Sequence, residues 1–453
     1  MSVKLSKLML SLSLSLFTMT ASADGLHQIY QQALQGDPKI KQAQAARDQN
    51  FAAISESRAV LLPQITGSIS IGNGATNAPH DGKGFEWGDH WGGNAQVSLT
   101  QQIYSHGSWL NLSLTEKNAS RSDAQLASAQ QGLILRVANA YFDVLKAKDN
   151  LSFVQAEKRA IERQLEQTKQ RYEVGLTAFT DVHEAQAQFD ISVANEIFAQ
   201  NTLVNSLESL TEITGLKHQN LDQLNTDTFS PAIPQPATSG DWVKLAQENN
   251  LTLLDQRLAV DIAKQRIDLS KSGHLPTLGA TASMTHTYNN EGLSQTTAHN
   301  HQGSASVGLQ LNVPIYNGGR ISSQVEQSRL GYVASAQSLE ENHRSVVRNI
   351  RSSFNDVRAS IASINAYSQA ATSADSALKA TKAGFEVGIR TIVDVLNSTR
   401  QVYNAKKQLA NARYGYILSV LQLKQTAGTL KEQDLILISK GLIAAETTTT
   451  EKE

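Results

Sequence analysis

Apolar and polar positions along this chain follow two different periods, and the two alternate in the same order twice. Over residues 64–71, Ile65, Gly67, Ile69 and Ile71 fall on one face and Gln64, Thr66, Ser68 and Ser70 on the other. A period of two is the signature of a strand. Val97, Leu99, Gln101 and Ile103 repeat it, then Leu278, Ala280, Ala282 and Met284, and finally Val307, Leu309, Leu311, Val313 and Ile315. These segments predict two hairpins of strands roughly ten residues long. Elsewhere the spacing changes to threes and fours: Val347, Ile350, Phe354, Val357, Ile361, Ile364, Tyr367, Ala371, Ala374, Leu378, Thr381 and Phe385 form one heptad-like stripe. Ile134, Val137, Tyr141, Val144, Leu151, Val154, Lys158, Ile161, Leu165, Thr168 and Tyr172 form another. All eight prolines lie at or before Pro314, and none falls between Pro79 and Pro231, so nothing interrupts either stripe. A helix over residues 105–172 reaches ~100 Å at 1.5 Å per residue.

The two stripes are copies. Leu62-Pro63 is answered by Leu275-Pro276, Glu173-Val174-Gly175 by Glu386-Val387-Gly388, and Thr214-Gly215 by Ala427-Gly428, each 213 positions later. Gly175 and Gly388 mark where each long helix stops, since a left-handed residue costs glycine little and lets the chain reverse. A second helix then returns, with the stripe Val395, Thr399, Val402, Lys406, Leu409, Arg413, Tyr416, Val420 and Leu423 in the second copy. Each repeat is therefore an antiparallel helical hairpin with its tip at Val174-Gly175-Leu176 or Val387-Gly388-Ile389. Shorter helices are expected over 26–59 and 242–272. The chain divides into a signal over 1–23, a first repeat over 24–225, a linker over 226–240, a second repeat over 241–430 and a closing segment over 431–453.

Composition adds an address. Lys4 and Lys7 precede an apolar core over residues 8–17, and Ala21-Ser22-Ala23 offers a small-residue cleavage site, which reads as a secretory signal. That core is too short for a spanning helix, which needs roughly 20 residues, and no later stretch is longer without a polar break. Any membrane crossing must use strands. Removing Lys4 and Lys7 leaves 38 basic against 41 acidic residues, net −3, so no field favours nucleic acid as a partner. With no cysteine there is neither a disulfide scaffold nor a thiolate metal site.

Strands with one apolar and one polar face suit an outer-membrane barrel, although soluble sandwiches alternate in the same way. Two segments, residues 73–94 and 289–303, read as long exposed loops on one rim. Tyr104, Trp109 and Tyr316 are expected near the other rim, as an interfacial girdle. Four strands per chain leave two open edges, which a membrane does not tolerate. Several chains must share one barrel. Three supply twelve strands and are the preferred closure, while counting alone also allows two or four.

Over nearly the whole mature chain the residues resemble the TolC family of outer-membrane export ducts. The resemblance is carried by Leu61-Leu62-Pro63-Gln64, Ala140-Tyr141-Phe142-Asp143-Val144-Leu145, Gly273-His274-Leu275-Pro276-Thr277, Pro314-Ile315-Tyr316, Arg390-Thr391-Ile392-Val393-Asp394-Val395 and Glu432-Gln433-Asp434-Leu435, among others. It implies an α+β membrane protein in the outer membrane of a Gram-negative bacterium: a homotrimer whose twelve-stranded β-barrel, four strands per chain, continues into a long α-helical coiled-coil barrel in the periplasm. It further implies an exit path for multidrug efflux and type I protein secretion. Such a duct is recruited by an inner-membrane pump through a periplasmic adaptor, or membrane fusion protein, and contacts outer-membrane lipid. The 226–240 linker and the segment after Leu430 would form an irregular band around the tunnel, and 447–453 a solvated tail.

The resemblance also implies site residues. Arg390 matches the family's gate-tying arginine, Thr180 and Asp181 match its partners on the neighbouring hairpin, and Gln164 is a further polar position. The tips Val174, Gly175, Leu176, Val387, Gly388 and Ile389 match the adaptor contacts. Asp394 matches one of two aspartates that line the narrowest ring. Two departures stand out: Phe385 replaces a tyrosine that makes an additional tie, and Asn397 replaces the second ring aspartate, leaving three carboxylates in a trimer's ring instead of six. Arg390, Asp181 and Asp394 also read simply as solvated charges at helix starts.

No HExxH, phosphate-cradling loop or nucleophile elbow is present. His299-Asn300-His301 reads as an incidental polar loop, and His183-Glu184 lacks further ligands. The expectation is therefore no enzyme and no cofactor or metal. The rival is a non-conducting trimeric coiled-coil tether or adhesin, which would fill its axis with apolar side chains where a duct lines it with polar ones.

Overall fold

The computed structural model describes residues 25–79, 85–218, 220–290 and 301–443. The expected signal over 1–23, the centre of the 289–303 loop, His299 and the 447–453 tail lie outside them. The chain runs α1 (Leu26–Gly36), α2 (Pro38–Ala59), β1 (Gln64–Pro79), β2 (Phe85–Tyr104), α3 (His106–Glu173), α4 (Phe179–Thr214) and β3 (Gln223–Leu224). The second half runs α5 (Ser239–Asn249), α6 (Leu251–Ser272), β4 (Thr277–Asn290), β5 (His301–Asn312), α7 (Arg320–Glu386), α8 (Ile392–Thr426), α9 (Glu432–Ser439) and β6 (Leu442–Ile443). Among the described residues no helix is long and apolar enough to cross a membrane.

The long helices are as the stripes predict: α3 has 68 residues and α7 has 67, each about 100 Å. Each ends in a left-handed glycine, Gly175 at φ 76° and Gly388 at φ 82°. The reversals are Schellman-type turns: Leu176 N donates to Arg171 O at 2.8 Å, and Ile389 N donates to Gly384 O at 2.9 Å. Each expected short helix is split in two. Asp37 accepts from Lys39 N at 2.6 Å and starts α2 with Pro38 at its first position, while Asn250 accepts from Leu253 N at 2.9 Å and starts α6.

The strands exceed ten residues, with 16, 20, 14 and 12 in β1, β2, β4 and β5. The expected 73–94 loop is mostly hairpin: β1 and β2 stay in register from Gln64↔Thr100 out to Pro79↔Phe85. Backbone pairing continues through Gly- and Asn-rich sequence because the ladder bonds belong to the main chain. The order is β1-β2-β4-β5, antiparallel throughout, so β1 and β5 are bare edges. The closing segment is likewise more regular than expected, forming α9 and the short ladder β3-β6.

Three apolar clusters hold the helices. The largest joins α1, α3, α4, α8 and α9 at mid-length, around Tyr141, Phe142, Leu210 and Leu435. Its counterpart gathers Trp242, Leu253, Ile350, Phe354 and Leu423. The third ties the hairpin tips through Ile161, Leu165, Ala185, Ile392 and Leu396. Between Ile364 and Gly384, α7 fully buries no residue: Ala371, Ala374, Leu378 and Thr381 are half-buried, Tyr367 is exposed, and Ser398 Oγ on α8 donates to Thr381 Oγ1 at 3.3 Å.

The helix ends meet symmetrically. A Cβ on Gly36 would stand 2.4 Å from Thr214 O, and one on Gly428 would stand 2.2 Å from Asn249 O. Gly215 and Gly428 both have φ near 75°, but Gly215 has open space where a Cβ would go. Gly215→Ala is therefore expected to cost about 1–2 kcal/mol of backbone strain. Gly428→Ala adds a backbone clash and is expected to cost more; thermal unfolding of the two variants followed by circular dichroism should rank their midpoints in that order.

Candidate functional site: the sheet faces and the hairpin tips

Register assigns every strand residue to a face. On one lie Ile65, Ile69, Ile71, Val97, Met284, Val307, Leu309 and Leu311, all exposed, with Ile69 at 82% and Val307 at 88%. Leaving eight such side chains in water forfeits on the order of 10–20 kcal/mol, comparable with the whole stability of an ordinary domain. Lipid is the environment that removes this loss. The other face carries Thr66, Ser68, Ser70, Gln96, Ser98, Thr100, Thr281, Ser283, Thr285, Ser304, Ser306 and Gln310. Thr66 and Ser98 hydroxyls meet at 2.7 Å, and Ser283 and Ser306 at 2.9 Å. These residues are polar and uncharged, as a surface facing water requires. Tyr104, Trp109 and Tyr316 are exposed at the sheet's helical end, 45%, 57% and 86% respectively.

At the tips, the aspartates at equivalent positions of the two repeats cap the returning helices. Asp394 Oδ2 accepts from Thr391 N and Oγ1, both at 3.0 Å, while Thr391 Oγ1 accepts from Asp394 N at 3.3 Å, a reciprocal capping box. In the first repeat Ala178 occupies the capping position, and the Thr177 hydroxyl donates to Asp181 Oδ2 in its place, with Ala178 N at 3.4 Å. These bonds, chiefly from Thr391 and aided by the Arg390 charge, hold the Asp394 carboxyl below its ordinary range. In each aspartate the hydrogen bonds use Oδ2, leaving Oδ1 for another partner.

Arg390 is exposed, and its side chain makes no ion pair among the described residues of its own chain; nor do Arg390 and Asp181 meet within one chain. Thr180 is also exposed. Gly384 seats Arg390: a Cβ there would lie 2.8 Å from Arg390 Cγ, and Gly384 O accepts from Arg390 N at 3.2 Å. Phe385 packs against the tip cluster, with the Arg171 guanidinium 4.9 Å from its ring centroid. Gln164 is buried, and among the described residues neither its Nε2 nor Arg171 Nε has a hydrogen-bond partner. Both line a cavity of about 660 Å³ that opens between α3 and the end of α7. Asn397 lines a second groove, about 760 Å³, between α3, α4 and α8. Glu157 sits there, its carboxyl raised by burial against the opposing charges of Arg400 and Lys407. Val174, Leu176, Val387 and Ile389 are all exposed, 68–79%.

Sequence reasoning missed Arg171, whose partner Phe385 is remote in sequence, and Gly384. The Thr391-x-x-Asp394 spacing of a capping box was legible.

The comparisons with known proteins fit this geometry. The family model for outer membrane efflux proteins matches residues 29–216 and again 242–429. The chain is 46% identical to outer membrane protein TolC of Vibrio cholerae, over 98% of this chain and 99% of that one. It is 27% identical to the proteases secretion protein PrtF of Dickeya chrysanthemi, over 95% and 94%. Its fold superposes on the crystal structure of the Campylobacter jejuni CmeC outer membrane channel with a TM-score of 0.75 at 17% identity, covering 93% of this chain and 90% of that one.

Replacing Thr391 by Ala is expected to cost the start of α8 about 1 kcal/mol, read as lost hydrogen-exchange protection over residues 392–396, with Asn397→Asp leaving it unchanged. Because the folded Asp394 carboxyl titrates below its unfolded value of about 3.9, its capping contribution is full above that pH. It is lost as pH falls through the lower folded value; protection factors at pH 6 and pH 3 should show the loss in the wild type and not in Asp394→Asn.

Proposed function

This chain belongs to the outer membrane efflux protein family, and we propose that three copies close their sheets into one barrel and their helical hairpins into one tunnel. The protein is an outer-membrane channel serving efflux and type I secretion. The observation that carries the trimeric reading is the four-stranded sheet with both edges bare, one face apolar and the other polar and uncharged. Three copies give twelve strands, an even number within the range of such barrels. The half-buried α7 stripe below Ile364 then completes its cover on a neighbouring hairpin. A tether or adhesin needs an apolar axis, and the Ser/Thr/Gln face does not supply one.

Arg390 serves as the gate tie, reaching Thr180 and Asp181 on the next chain's hairpin. What supports this is its exposed guanidinium, without an ion pair in its own chain, and the carboxylate oxygen that Asp181 keeps free of its helix cap. Gln164, with its buried amide lacking a partner, is a further tie. One exposed pair contributes ~0–1 kcal/mol, so three acting on one two-state gate contribute a few kcal/mol, enough for a 5–150-fold bias. The exposed tips Val174-Gly175-Leu176 and Val387-Gly388-Ile389 dock a periplasmic adaptor, which brings the inner-membrane pump. Phe385, packed under Arg171, substitutes an apolar and cation–π contact for a hydroxyl tie.

Single-channel conductance of the purified protein in planar bilayers tests the reading: a water-filled pore is expected, and a non-conducting assembly would refute it. Arg390→Ala is expected to raise the open-state occupancy severalfold. Gly384→Ala, which displaces the Arg390 stem, should shift it in the same direction although alanine is the better helix former by about 1 kcal/mol. With Asp394 as the only ring carboxylate, block by hexaammine-cobalt-type cations should be weak, and Asn397→Asp should strengthen it, since the field at a constriction follows its fixed charge. Unchanged block would remove Asp394 and Asn397 from the ring.

A further inference from the structure

The end of the sheet remote from the helices carries an arrangement that channel function does not use. His286 on β4 and His301 on β5 lie on the same face as Met284 and Val307, one step diagonal across the ladder, where Tyr288 pairs with His301 and His286 pairs with Gly303. Gly303 has no side chain, and a Cβ there would stand 4.0 Å from His286 Nδ1, so the His286 ring is free to lean along the ladder. The two imidazoles stack with centroids 5.6 Å apart, and His286 Nε2 stands 3.4 Å from His301 Nδ1. Tyr288 packs against His301 at 4.7 Å and against Trp91 at 5.0 Å. This aromatic backing restricts the His301 ring while both histidines stay exposed.

We propose that His286 and His301 form a binding site for a divalent transition-metal ion of the zinc or copper class. Two nitrogens each ~2.0–2.1 Å from a tetrahedral centre are separated by about 3.3–3.4 Å, the separation found here without any ligand. In the free protein the two facing nitrogens share one hydrogen bond, so one of them carries a proton. On binding, that proton moves to the other nitrogen of its own ring, both facing nitrogens become lone-pair donors, and the ion takes the place of the shared hydrogen. Among the described residues no third His, Asp or Glu joins the pair, so water completes the shell and the ion remains open to an external anionic ligand. Imidazole nitrogen suits zinc and copper and not magnesium or calcium. The site is formed within one chain.

Isothermal titration of the full-length protein in detergent with Zn²⁺ tests the site, with Cu²⁺ electron paramagnetic resonance in parallel. One ion per chain is expected, with two imidazole nitrogens coupled to the copper signal. His286→Gln and His301→Gln should each weaken Zn²⁺ binding at least tenfold, and the double variant no further, because the ligands act as a pair. Single-channel conductance without metal should be the same in all variants, which establishes that they assemble. No saturable binding, one coupled nitrogen only, or wild-type affinity in the double variant would each overturn the proposal.

Discussion

An unpaired strand edge cannot face lipid. Every N–H and C=O left without a partner in hydrocarbon costs several kcal/mol, and this chain presents two whole edges, β1 and β5. Among the described residues nothing else covers them, and both faces of the sheet are bare. The proposed self-association follows from the strand count. The helical part has the same incompleteness in weaker form, for α7 has a regular stripe that its own chain covers only in part below Ile364. Duplication doubles the number of strands and helices each chain contributes to a common wall, and the paired β2 and β4 join the two halves within the sheet.

The hairpin tips show how few residues separate a structural role from a regulatory one. Asp181 and Asp394 occupy equivalent positions of the two repeats, and each directs one carboxylate oxygen to the start of its own helix. A helix start offers unsatisfied N–H groups and a positive partial charge, so a carboxylate there is fixed in place. The same fixation makes it a well-aimed partner for a guanidinium or a passing cation. Capping and gating are compatible because a carboxylate has two oxygens. Around them the packing differs between repeats: Gly384 gives room to Arg390, while its counterpart Arg171 lies over Phe385.

The wall itself is chemically plain. Serine, threonine and glutamine hydroxyls and amides line the sheet, and uncharged polar groups attract many solutes weakly and none strongly. Discrimination among exported molecules then belongs to whatever loads the tunnel. More specific chemistry lies at the two ends of the chain's length: capped aspartates and Arg390 at the hairpin tips, and paired imidazoles among aromatics at the far end of the sheet.

Much of this was legible along the chain. Periods of two and of three to four, proline-free runs and left-handed glycines are local properties, and they fixed the strands, the 68- and 67-residue helices and the turns at Gly175 and Gly388. Likewise the Thr391-x-x-Asp394 spacing announces its cap, because a capping box closes within four residues. Hairpin length was not legible, since ladder bonds join main-chain atoms and Gly- or Asn-rich side chains carry no sign of them. Nor were the contacts between Arg171 and Phe385 or between His286 and His301. Neither pair shares a helical turn or adjoins in sequence, and only the packing of α3 against the tip cluster and the β4–β5 register bring their side chains together. The sequence by itself determined the elements, because periodicity and turn chemistry act over a few residues; the tertiary structure alone decided which charges and rings face one another, because that depends on register and packing between segments far apart in the chain.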